Sequence, residues 1–213
     1  MNLNHDLYVD VTSAGAYYAV SSGEPEMLRQ LIFQLLQSDQ SPQFSEQNID
    51  IWSNNGNPEE TIQMLYRLQE LGWITGLHEP VATPTGAVDA VLPKLLPTLS
   101  EDRKILLADS EGFYVASFGY PHEAAEELSA VSADLAILYN RHKGLLQNNQ
   151  RHSLQSWGLI DAAGNSQLGF WPLCFGKQRF VLVLSGRPCF NQPAFKDLVW
   201  SLARRYIDND WSK

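Results

Sequence analysis

Asp109 and Glu111 stand two residues apart in Asp109-Ser110-Glu111-Gly112, a spacing at which two carboxylates can be posed as an acid–base pair. Their neighbours give them a plainer use. The β-prone run Ile105-Leu106-Leu107-Ala108 precedes them and Phe113-Tyr114-Val115-Ala116-Ser117-Phe118 follows the glycine, so both acids belong to a hairpin turn. His122, His142 and His152 lie near the two ends of one helical stretch without metal-ligand spacing. Cys174 and Cys189 are fifteen residues apart with no CxxC or HxxxH nearby. Neither a Walker-type phosphate loop nor GxGxxG occurs. The sequence therefore nominates no catalytic residue, no metal and no cofactor, and it reads as a non-enzyme.

The formal charge of −9 is uneven. Residues 1–97 hold twelve acidic side chains against three basic ones (Arg29, Arg67 and Lys94), whereas residues 98–213 hold twelve of each. Such a step marks a boundary and argues against nucleic acid at the first half, where binding needs Lys and Arg to replace phosphate counterions. Two thiols do not make a secreted disulfide framework, and the N-terminus lacks the basic start and apolar core of a signal peptide. No run approaches the ~20 apolar residues that span a bilayer. A cytoplasmic, non-membrane protein is the expectation.

These groups must be held by elements that the pattern also predicts. Residues 7–20 are β-prone around Ser13-Ala14-Gly15 and suggest a hairpin. From Pro25 the apolar period becomes helical through Leu28, Leu31, Ile32, Leu35 and Leu36. Glu46 to Trp52 is a short helix carrying Ile49 and Trp52 inward. Asn57-Pro58 opens a longer one, with Glu60 completing a capping-box variant, that Gly72 stops before Trp73-Ile74-Thr75-Gly76 leaves as a strand. Pro80, Pro84, Pro93 and Pro97 fall within residues 80–98, and residues 83–99 read as a Pro-rich linker in which Pro93 limits any helix begun at Ala87. Beyond it come the hairpin, a long helix from about His122 to Gln147, β-prone stretches at 152–160, 166–175 and 179–185, and a helix opened by Pro193. Short Gly-containing connections make neighbouring strands antiparallel. The division is an acidic domain over residues 1–82, the linker, and a domain over residues 100–213.

The order of helix, short helix and longer helix ending Tyr66-Arg67-Leu68-Gln69-Glu70-Leu71-Gly72-Trp73-Ile74, then a strand, resembles winged-helix domains of bacterial regulators. In DNA-binding members the helix matching Asn57 to Leu71 enters the major groove. Here it offers Arg67 against Glu59, Glu60 and Glu70, which favours a protein-binding or spacer version over a DNA-binding regulator. The phrase from Ile105 to Ser117, followed by Glu126-Glu127-Leu128-Ser129-Ala130, resembles the roadblock family of dynein light chains and bacterial GTPase regulators over residues 100–207. That resemblance implies an α+β fold, a five-stranded antiparallel sheet sandwiched by helices. It also implies homodimerisation through the long helix and a neighbouring strand, and a Ras-like GTPase as partner. Pro93 and Pro97 shorten or replace the helix with which the family begins.

Two surfaces follow. Ala124, Leu128, Val131, Leu135, Leu138, His142 and Leu145 keep a heptad on the long helix. The stripe covers its own sheet, or covers it and also meets a dimer partner through Leu128, Val131, Leu135, Leu138 and Tyr139. Trp157, Phe170, Trp171, Phe175, Phe180 and Phe190 crowd the last strands. They form an aromatic core, or Trp157 and Trp171 face outward as anchors for a partner. A ligand-sensing domain of the GAF or profilin-like kind would line a cavity with those rings instead.

Overall fold

The computed structural model describes residues 6–54, 56–146 and 155–207. The fold is α+β, and contacts divide it into two units.

Unit 1 comprises residues 1–19, 24–85 and 191–213. Strand β1 (Tyr8–Val11) pairs antiparallel with β2 (Ile74–Leu77), Tyr8 opposite Leu77 and Val11 opposite Ile74. The hairpin expected within residues 7–20 does not form. After β1 the chain enters helix α1 (Ser13–Val20), because Thr12 starts it. The Thr12 hydroxyl accepts the Gly15 N–H at 3.1 Å and its carbonyl accepts the Ala16 N–H at 2.8 Å. Gly15 is required there, since a Cβ would lie 2.1 Å from the Trp73 carbonyl oxygen. Tyr18, β-prone by itself, stacks on Trp73 with ring centroids 3.8 Å apart, a tertiary contact that overrides local propensity.

Helix α2 (Met27–Leu35) buries Leu31, Ile32 and Leu35 as its period requires. It also buries Arg29, whose guanidinium donates to the carbonyls of Tyr18 and Ala19, capping the C-terminal turn of α1. Helix α3 (Glu46–Ser53) turns Ile49 and Trp52 inward and is capped by Ser45. Helix α4 (Pro58–Glu70) is capped by Asn57, whose side chain accepts the Glu59 N–H at 3.0 Å. β2 follows α4 as expected, but its partner is β1, which precedes the helices.

Helix α7 (Pro193–Tyr206) belongs to unit 1 rather than to the sheet-bearing half where the sequence places it. The physical reason is a set of anchors remote in sequence. The nearly buried Lys196 ammonium meets the Asp10 carboxylate at 3.1 Å, the Trp200 indole N–H donates to the Ser38 carbonyl at 3.0 Å, and Arg204 pairs with Asp39.

Unit 2 comprises residues 20–23 and 86–190. Helix α5 (Val88–Leu95) passes through Pro93, which was expected to limit it, and tightens into a 3₁₀ turn at Leu96–Thr98. The missing Pro93 N–H leaves the Asp89 carbonyl unbonded within the helix; both residues are exposed, so water can satisfy it. Strands β3 (Ile105–Ala108), β4 (Tyr114–Phe118), β5 (Trp157–Ile160), β6 (Ser166–Phe175) and β7 (Gln178–Ser185) form one sheet in the order β4-β3-β7-β6-β5, every neighbour antiparallel. The edges are thus β4 and β5. Helix α6 (His122–Gly144) lies between them in sequence and packs against β3, β4 and β7. Its expected last residue, Gln147, and the start of the stretch at 152–160 fall outside the described residues.

Candidate interaction surface

Two of the groups that sequence could enlist for chemistry, Asp109 and His122, are engaged in holding the fold. Asp109 Oδ1 accepts the N–H groups of Glu111 and Phe113, each at 2.9 Å, so this carboxylate organises the β3–β4 turn. His122 Nδ1 is bonded to the Tyr114 hydroxyl at 2.8 Å and its Nε2 lies 3.4 Å from Glu126. His142 is exposed on α6 and His152 lies outside the described residues. Cys174 is buried and Cys189 is exposed, and neither is joined in a disulfide. Among the described residues no three His, Cys, Asp or Glu side chains gather as metal ligands would.

The β5–β6 turn repeats the first hairpin's construction. Asp161 Oδ1 accepts the N–H groups of Ala163 (2.8 Å) and Asn165 (2.9 Å), and Gly164, like Gly112, has positive φ. The Asn165 amides and the Gln167 side chain hold the Asp161 carboxyl below its usual range, the Asn165 backbone bond contributing most. The spacing Asp161-Ala162-Ala163-Gly164 was the sequence signal for this second Asp-x-x-Gly turn.

What remains is an exposed apolar surface, built on the division of α6 into two faces. Ala125, Ser129, Ser132 and Tyr139 are its buried residues. Two serines can face a sheet because the helix satisfies them: Ser129 Oγ donates to the Ala125 carbonyl and Ser132 Oγ to the Ser129 carbonyl, both at 2.7 Å. The heptad stripe therefore sits on a flank of the helix. Leu128 and Leu135 are half-buried against a core of Leu106, Ala108, Ala125, Phe170, Val181 and Val183, while Val131 and Leu138 are exposed. Tyr139, grouped by sequence with the outward stripe, is 2% exposed and turned inward.

The buried residues recur along one side of α6, so the exposed remainder is the side turned away from them, continued past Tyr139. Tyr139 is the last buried residue of α6. Ile137 and Leu145, with exposures of 58% and 57%, join Val131 and Leu138 in an apolar face. A recess of about 350 Å³ in it is lined by Val131, Asp134, Leu135, Ile137, Leu138 and Arg141.

β5 adds a second exposed apolar element. Trp157 lies opposite Phe170 and packs on the same core cluster as Leu128 and Leu135, so it points to the α6 face of the sheet. Two residues on, Leu159 shares that face. Leu159 and Ile160 are 63% and 69% exposed on a strand whose outer edge is unpaired in the sheet. Trp171 follows Phe170 and projects from the opposite face, lying over Gly169 and against Phe190. The two tryptophans grouped by sequence as one partner surface are thus on different faces, both half-buried. Ile137, Leu159 and Ile160 were missed; the signal for the last two was an apolar pair in a short strand beside a turn.

On α4, Glu59, Glu60, Arg67 and Glu70 are exposed, and Arg67 is paired with Glu70 at 3.4 Å. This leaves a carboxylate-rich face where a DNA-reading helix needs cations. No described helix is long and apolar enough to cross a membrane. No protein-family model matches the chain, and no curated protein or solved structure matches it either.

Proposed function

We propose that this chain is a non-enzymatic contact protein of the cytoplasm that pairs with a second copy of itself through α6 and β5. On the resemblance of residues 100–207 to roadblock domains, we further propose that the pair serves as partner or regulator of a Ras-like GTPase. The observations that carry the dimer are two exposed apolar patches: Val131, Ile137, Leu138 and Leu145 on and just beyond α6, and Leu159 and Ile160 on a free-edged strand. Exposed apolar surface of this kind costs solubility unless covered, and an unpaired edge offers backbone groups to a further strand. The order strand, strand, long helix, three strands agrees with the same reading. An engaged His122 and two turn-holding Asp-x-x-Gly carboxylates suit a scaffold better than a catalyst.

Amide hydrogen exchange at low and high protein concentration tests the dimer. Amides of residues 157–160 should gain protection with concentration, and those of 131–145 should follow if α6 is covered. Exchange independent of concentration in both segments would remove the dimer. Binding to Ras-like GTPases loaded with GDP or a GTP analogue tests the partner, and failure with every such GTPase of the source organism would remove that part alone.

A further inference from the structure

Asp134 and Arg141 line one recess on the outward face of α6, seven residues and therefore two turns apart, about 10.5 Å along the axis. Between them lie Ile137 and Leu138. Among the described residues neither charge has an ion-pair partner, although both flank an exposed apolar centre. Rotated by two-fold symmetry about a point between Ile137 and Leu138, the face maps onto itself with each charge falling on its opposite.

We infer that two copies pair through α6 in antiparallel fashion about that point, with Asp134 of each copy against Arg141 of the other. The inference rests on the dimer proposed above and specifies its register. A two-fold contact uses one patch twice, so a single Asp–Arg complementarity supplies two ion pairs, one at each end of the Ile137–Leu138 centre. Val131 of each copy comes alongside Gly144 and Leu145 of the other, continuing the apolar seam. A parallel pairing would instead set Asp134 on Asp134 and Arg141 on Arg141, two like-charge contacts beside an apolar seam, which is repulsive.

The test is a charge exchange read by sedimentation equilibrium. Asp134→Arg and Arg141→Asp should each weaken self-association about tenfold or more, since each creates two like-charge contacts at the interface. An equimolar mixture of the two variants, and the double variant D134R/R141D alone, should both regain near wild-type association. Both positions are exposed, so thermal melting should show all the variants folded. Single variants that associate like wild type, or a double variant as weak as the singles, would overturn the register while leaving the dimer standing. A monomeric wild type would remove both.

Discussion

Ser132 Oγ donates to the Ser129 carbonyl at 2.7 Å, and Ser129 Oγ donates in turn to the Ala125 carbonyl, on the face of α6 turned to the sheet. Both hydroxyls are satisfied inside the helix, so the contact with the sheet can be made by small side chains. Ser129→Leu should therefore destabilise the protein by overpacking, by about 1–3 kcal/mol. Ser129→Ala, which removes donor and keeps volume, should be nearly neutral. Chemical denaturation distinguishes them, and a stabilising Leu at 129 would mean that this face is not packed as described.

Leu138 is exposed on α6, at the centre of the proposed contact. Leu138→Asp should change monomer stability by no more than about 0.5 kcal/mol, as surface substitutions commonly do, yet abolish self-association. Melting curves and elution mass measured on one preparation separate the two effects. A variant that unfolds would place Leu138 in the core.

Asp161 carries the β5–β6 turn through bonds to Ala163, Asn165 and Gln167. Because its folded carboxyl titrates below its ordinary range, its contribution is present at neutral pH and is lost as pH falls through that lowered value. Asp161→Ala should loosen β5, with faster amide exchange at Leu159 and Ile160 and weaker self-association. Unchanged exchange there would mean that the turn stands without its carboxylate.

Asp197 on α7 titrates above its ordinary range, because burial penalises its charge and Asp10 repels it, with Lys196 partly compensating. A raised carboxyl favours the fold below its unfolded pKa and loses that contribution as pH rises through the folded value. Asp197→Asn should accordingly raise the melting temperature at pH 7, and the gain should shrink once acid protonates the native aspartate. A variant that is less stable at pH 7 would assign the carboxylate a bonding role.

The parts legible in sequence are those governed by local signals. Asn57-Pro58 with Gly72, Ser45 before Glu46, and Asp109-x-x-Gly112 each bring the groups that start or stop an element, and those elements stand where their periods place them. Helix α1 was not legible because its cap at Thr12 competes with β-prone tyrosines, and the outcome depends on Trp73 lying against Gly15 and Tyr18. The placement of α7 was hidden likewise, its partners Asp10, Ser38 and Asp39 lying more than 160 residues away. On α6 a heptad of leucines outweighed two serines, and only the Ser129 and Ser132 back-bonds show why the serines face inward.

The solution mass of the intact chain tests the central claim most directly. Sedimentation equilibrium over a range of concentrations at low micromolar and above should give twice the 24.0 kDa chain mass, falling to the single-chain value for Leu138→Asp. A wild-type mass that stays at 24.0 kDa throughout would contradict the account, because the apolar patches of α6 and β5 would then have no second copy to cover them.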